Sequence, residues 1–183
     1  MKIIIVVAYA ILNRVIGLNG SIPWKILQDM LHFKKLTITI PESVVIMGRK
    51  TFESFPKKFR PLPDRWNFIV SRNPDYTPSP TNEKTKVFTS LAAAIECAKE
   101  MEFKLIFIIG GGEIYKEALD QRDFTIDEVI ATEVDGNFEG DTFFPDLYPG
   151  SWSEPEVLNT IIKDGDKNSH DCRIVSYKQL IAL

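Results

Sequence analysis

The sequence predicts an α/β fold: a single domain on a mostly parallel, doubly wound sheet with an antiparallel C-terminal edge. Three observations carry this. Short, β-branched apolar runs recur along the chain; stretches of helical periodicity separate them; and the last two runs follow one another with no helical stretch between. Continuous apolar runs suit strands covered on both faces. Their alternation with helices is the pattern of a parallel sheet flanked by helices.

The first four runs are Ile3 to Val7, Ser43 to Met47, Trp66 to Val70 and Lys104 to Ile109. Helical patterns occupy Ile26 to Leu36, after Pro23; Ser90 to Met101, opened by a capping serine; and Glu113 to Leu119, after three glycines. Glu128 to Val134 and Arg173 to Gln179 read as the antiparallel edge. Asn73 to Lys86 and Asp164 to Asn168 read as polar loops, the first too short to link two domains. With 183 residues and no internal repeat, residues 1–183 suit one domain.

Charge excludes some functions. A net charge of −3, from 25 acidic and 22 basic residues, gives no general attraction to nucleic acid or anionic membranes. Cys97 and Cys172 lie far apart and form no CxxC or Cys/His metal pattern, so they read as reduced thiols of a cytoplasmic protein. The apolar opening breaks at Asn13-Arg14 without a small-residue cleavage site, which favours a buried strand over a signal peptide. No apolar run reaches the length of a membrane span.

Ligands of open parallel sheets bind beyond the carboxyl ends of the strands. One such end runs into Gly48-Arg49-Lys50-Thr51, a second into Ser71-Arg72 after Val70, and a third, Ile109, into Gly110-Gly111-Gly112. Each alone is compatible with a plain turn, and the third is neither a Rossmann fingerprint nor a P-loop. Together they suit a phosphate-bearing ligand, with glycines for close approach and cations beside them. No acidic residue stands at either basic end, as an NAD-selecting site would require. Asp29 shares a helical face with Ile26, Met30 and Phe33. A carboxylate there either awaits a ligand partner or is simply favoured near a helix start.

Six blocks in order resemble the dihydrofolate reductase family: Asn13 to Trp24 continuing to Asp29 and Phe33; Val45 to Thr51; Arg60 to Asn67; Ile109 to Tyr115; Glu139 to Pro145; and Asn168-Ser169-His170. The resemblance implies NADPH-dependent reduction of dihydrofolate by a monomer, open to antifolate inhibitors. It implies that Asp29 binds the pterin 2-amino and ring N–H groups with support from Thr132, and that Trp24 holds a water nearby. Val7, Ala8, Met30, Phe33, Phe55, Leu62, Ile109 and Tyr115 are expected around the substrate, and Arg65 on its glutamyl carboxylate. Ala8, Ile16, Asn19, Gly20, Ser21, Ile22, Gly48, Arg49, Lys50, Thr51, Val70, Ser71, Arg72, Thr142 and Ile109 to Tyr115 (Gly110, Gly111, Gly112, Glu113, Ile114 between them) are expected around the cofactor. A cis Gly110-Gly111 bond is expected too.

The chain departs from the family at Ala8 to Leu12, at the longer Phe55-Pro56-Lys57-Lys58-Phe59 connection, and at Arg122 to Asp127. The second departure leaves Phe55 and Phe59 as alternative pocket walls. Two other readings are a pyrimidine reductase of riboflavin synthesis and a non-catalytic folate-binding module. The first requires neither Asp29 nor Arg65 in its place, and the second requires no intact catalytic set.

Overall fold

The computed structural model describes residues 1–180. In chain order the elements are β1 (Lys2–Ala10), β2 (Val15–Gly17), α1 (Leu27–Thr37), β3 (Ser43–Gly48), α2 (Arg49–Ser54), β4 (Trp66–Val70), β5 (Thr85–Phe88), α3 (Leu91–Glu100), β6 (Leu105–Ile108), α4 (Gly112–Asp120), β7 (Glu128–Val134), β8 (Thr142–Phe143), β9 (Glu156–Ile161) and β10 (Cys172–Lys178). Eight strands form one sheet in the order β5-β4-β3-β6-β1-β7-β10-β9. The ladders from β5 to β7 are parallel; β10 runs antiparallel to both of its neighbours.

β1 lies in the middle because nearly every one of its side chains is apolar, so both faces can be buried. Ile3, Ile5, Val7 and Tyr9 enter a core with Leu91, Ile95, Ile114 and Ala118 of α3 and α4. Ile4, Val6 and Ala10 enter a second core with Ile26, Phe52 and Leu62, on the side of α1 and α2. Ser90 caps α3 by accepting from Ala93 N at 3.2 Å. Among the described residues, no helix is long and apolar enough to cross a membrane.

Some sequence expectations are corrected. The polar stretch Asn73 to Lys86 ends inside a strand, since Thr85 and Lys86 open β5. Four residues are too few to display a period. β9 is also new: it pairs along one edge only, and Glu156 to Thr160 are exposed, so no apolar run marks it. The β2–β8 ribbon joins segments more than 120 residues apart and leaves no local signal.

Beyond the α4 side of β1, a buried carboxylate ties three strands. Glu133 accepts from Tyr9 OH at 2.7 Å, Tyr177 OH at 2.6 Å and Arg173 Nε at 2.6 Å. Tyr9, Glu133 and Arg173 are direct cross-strand neighbours. Burial pushes the Glu133 carboxyl up, but the three donors outweigh it and hold the group below the ordinary glutamate range. Its contribution is therefore present above pH about 4.5 and is lost as acid protonates the folded form. Glu133→Ala strands three donors and is expected to cost about 3–5 kcal/mol in urea unfolding at pH 7. That cost should shrink towards pH 3. A difference unchanged between pH 7 and pH 3 would contradict the ionised role of Glu133.

Candidate active site

The parallel ladder ends where β1, β3, β4 and β6 expose their carboxyl ends. There the two middle ends are linked: Gly48 N donates to Gly110 O at 2.7 Å, and Ile109 N to Ile46 O at 2.9 Å. The Gly110-Gly111 bond is cis. Gly110 has φ +98°, and a Cβ on it would lie 2.8 Å from the Tyr115 ring. A Cβ on Gly112 would lie 2.9 Å from Thr142 Cγ2. These positions leave no room for side chains, so the strip presents bare backbone.

Asp29 stands in the first turn of α1, half-buried. Thr132 Oγ1 donates to its Oδ1 at 2.5 Å. Burial raises the Asp29 carboxyl above its ordinary range; the Thr132 hydroxyl and nearby His32 pull the other way without cancelling it. His32, one turn along the helix, is lowered by burial, partly countered by Asp29 and reinforced by Lys35. Its Nε2 is buried with no hydrogen-bond partner among the described residues. Trp24 is buried, packs edge-on against Phe138 at 5.0 Å between ring centroids, and its indole N–H has no partner among the described residues.

Strand register sorts the expected substrate residues. Ala8 is the cross-strand partner of Thr132, so it shares the Asp29 face, where Phe33, Phe55, Leu62 and Ile109 also pack. Phe59 is instead exposed beneath Lys58. Val7 must be corrected: its partner is Ala131, and its side chain enters the opposite core. Tyr115 lies in that core too, with its hydroxyl committed to Val6 O at 2.7 Å. Met30 is 61% exposed rather than packed in the stripe expected of α1, and so presents a bare wall. Arg65 is only 5% exposed and forms no ion pair among the described residues. Its Nε donates to Pro63 O at 2.9 Å, Nη1 donates to Thr37 Oγ1, and its guanidinium lies 5.9 Å from the Phe33 ring centre. Burial lowers its pKa, which nearby Asp64 partly restores. A buried cation without an acid is costly, and an anionic ligand relieves that cost.

On the other side of the glycine strip, Arg49, Lys50 and Arg72 are exposed. Arg49 pairs with Glu53 at 3.7 Å and lies 5.7 Å from the Tyr76 ring; Arg72 pairs with Glu113 at 3.2 Å. Each acid reaches its arginine from a helix, Glu53 in α2 and Glu113 in α4, and not from a strand end. Both pairs are exposed and worth about 0–1 kcal/mol, so a phosphate can displace them. Ser71 is also corrected: its hydroxyl is buried, donating to Asn73 O at 3.3 Å and accepting from Asn73 N at 3.2 Å. Val70 and Ile114 pack into the α3/α4 core, and Ile114 Cγ1 also lies 3.1 Å from where a Gly48 Cβ would stand. α2 has just six residues, so cations more than a helix dipole must attract an anion there.

The loop Gly17 to Ile22 rests on the segment before β8. Asn19 N donates to Asp141 Oδ2 at 2.8 Å, and Asp141 N to Gly17 O at 3.0 Å. Ile16 touches the Gly112 position, and Thr51 lies 3.1 Å from where a Gly111 Cβ would stand. Gly20 and Ser21 are exposed, and Ile22 is 62% exposed. Among the described residues no cluster of His, Cys, Asp or Glu could hold a metal ion. The sequence carries no sign of Thr37, His32 or Tyr76, and marks Asn168 only as part of a family block, because their contacts arise in the folded chain.

A family profile described as Dihydrofolate reductase matches residues 2–179. Dihydrofolate reductase type 3 of Salmonella typhimurium is 39% identical over 164 residues, covering 90% of each chain. Dihydrofolate reductase of Schistosoma mansoni is 40% identical over 152 residues, 79% of this chain and 78% of that protein. A bifunctional dihydrofolate reductase-thymidylate synthase of Daucus carota is 38% identical over 148 residues, 76% of this chain but 28% of that protein.

The raised Asp29 carboxyl has a stability consequence. A carboxyl raised on folding favours the acid form, so its penalty is absent below about pH 3.8 and complete once pH exceeds the raised value. Asp29→Asn keeps the Oδ1 acceptor for Thr132 and removes the charge. The ligand-free variant is expected to melt higher than the parent at pH 7, by about 2–4 °C per kcal/mol relieved. The gain should fade towards pH 4. A variant that melts lower at pH 7 would show that the carboxylate stabilises the fold.

Proposed function

The chain belongs to the dihydrofolate reductase family, and we propose on that premise that it reduces 7,8-dihydrofolate to 5,6,7,8-tetrahydrofolate with NADPH, supplying one-carbon metabolism. The observation that carries this reading is that α1 brings together two charges lacking sufficient partners, half-buried Asp29 in its first turn and buried Arg65 donating to Thr37 at its end. Among the described residues Asp29 has a single hydrogen-bond donor, and Arg65 forms no ion pair, with Asp64 only nearby. A pterin with an N–H edge at one end and a glutamyl carboxylate at the other completes both.

NADPH, when bound, supplies the hydride that reduces C6. The chain's own residues do the rest. Asp29 accepts from the 2-amino and ring N–H groups and polarises the ring, while Thr132 positions it. Ala8, Phe33, Phe55, Leu62 and Ile109 exclude water around the ring system. Arg65 offers its remaining guanidinium N–H groups to the carboxylate, a task its planar fork suits. The free indole N–H of Trp24 holds a water, and water delivers the proton to N5 as the exposed loop around Ile22 moves. Asp29 is an orienting group more than a direct donor to N5.

The glycine strip fits the cofactor, because Gly110 and Gly112 leave bare backbone where a bulky dinucleotide must pass. Arg49, Lys50 and Arg72 are placed for a ribose phosphate beside it. A cytoplasmic monomer is part of the same proposal, and both cysteines are free. Antifolates would compete for the Asp29 end of the cleft.

The direct test is NADPH consumption followed by its absorbance, with and without dihydrofolate. The parent chain should oxidise NADPH only with dihydrofolate present. Asp29→Asn should lose at least about 10²-fold in kcat/KM, the usual scale of acid–base contributions. A parent inactive on dihydrofolate overturns the proposal. Cofactor choice gives a second test. Two charged hydrogen bonds at about 1.5–3 kcal/mol each, less the ion pairs they replace, predict an NADPH preference on the order of 10². Combining Arg49→Ala with Arg72→Ala should erase most of it and leave activity with NADH nearly intact. Equal efficiency of the parent with NADH would remove these arginines from the phosphate site.

A further inference from the structure

Helix α1 begins without a capping side chain of its own. Its N-cap position is Ile26, in an extended conformation, and isoleucine offers no acceptor. The first amides are satisfied instead by the turn between β9 and β10. Asn168 Oδ1 accepts from Gln28 N at 3.2 Å, and Lys167 O accepts from Leu27 N at 2.9 Å. Just upstream, Lys25 N donates to Ser169 Oγ at 3.1 Å and Ser169 N to Lys25 O at 2.8 Å.

Asn168 is fully buried and is itself held. Asp164 Oδ1 accepts from Asn168 N at 2.7 Å, and Asp164 Oδ2 accepts from Asn168 Nδ2 at 3.0 Å. With the amide nitrogen committed to Asp164, the amide oxygen is left facing Gln28. Gln28 is the second residue of α1, where an ordinary N-cap side chain delivers its bond, and Asp29 follows it. The same turn braces Trp24 indirectly, since His170 packs on Phe138 at 4.8 Å and Phe138 on Trp24.

We propose that Asn168, oriented by Asp164, is a positioning residue for the reaction: it caps α1 from the far end of the chain and fixes the turn that carries Asp29. This rests on Asp29 being the substrate-binding carboxylate. Without the cap the Gln28 amide loses its acceptor, the first turn frays, and Asp29 no longer keeps its place against Thr132. The glycine strip and Arg49, on other strand ends, are untouched.

The test uses the full chain. Asn168→Ala should lower kcat/KM for dihydrofolate about tenfold, the scale of one lost cap, and leave KM for NADPH unchanged. Hydrogen exchange at the Gln28 amide should accelerate. Ile126→Val, in the opposite core, serves as a destabilised control and should show neither effect. Asn168→Asp alone sets two carboxylates together and should be worse than Asn168→Ala. Adding Asp164→Asn restores a donor facing an acceptor and should recover most of the loss. Parental kcat/KM in Asn168→Ala, losses matching Ile126→Val for both substrates, or no recovery in the double variant would each overturn the proposal. Failure of the parent to reduce dihydrofolate would instead defeat the assigned reaction. The Gln28 exchange rate still reads the cap in that case, and an unchanged rate in Asn168→Ala would overturn it.

Discussion

The burial of β1 on both faces is the constraint from which the rest of the molecule follows. Its odd-numbered side chains are committed to one core and its even-numbered ones largely to another. Its backbone is committed to β6 and β7. Such a strand offers a ligand little except its carboxyl end, and the same holds for β3 and β6 beside it. The chemistry therefore gathers at one sheet edge, where the backbone turns away and glycines keep the approach open.

Two neighbouring residues of β7 show how the sheet separates structural from ligand-facing charge. Glu133 points to one face, meets three donors and is held ionised. Thr132 points to the other and supplies one donor to Asp29, whose carboxyl stays raised by burial. A satisfied carboxylate belongs to the fold; an undersupplied one is poised for a partner from outside. Arg65 repeats the logic with opposite sign, anchored by Thr37 and Pro63 but without an ion pair among the described residues. Fold stability is given up at both points, the usual trade at sites built to bind.

Long-range contacts hold these groups in place. Thr132 reaches Asp29 across 103 positions, and Asn168 reaches Gln28 across 140. The cleft is consequently sensitive to residues far from it in sequence. The β9–β10 turn, outwardly a polar surface loop, satisfies the first amides of α1.

The sequence by itself determined the fold class, the strands Trp66 to Val70 and Glu128 to Val134 to the residue, the Ser90 cap and the positions of Asp29 and the glycine strip. These are local properties, written in periodicity, caps and turn residues. Family resemblance extended that reading to the cleft's inventory. Which face each residue serves was decided only in three dimensions. Register sent Val7 and Val70 into the core and left Ala8 beside Thr132, while the inward face of α4 took Ile114 and Tyr115. Tertiary contacts also turned Ser71 inward, brought Glu113 to Arg72 and chose Phe55 over Phe59. Pairing between strands and between remote side chains has no local period, so it emerges only when the whole sheet has formed.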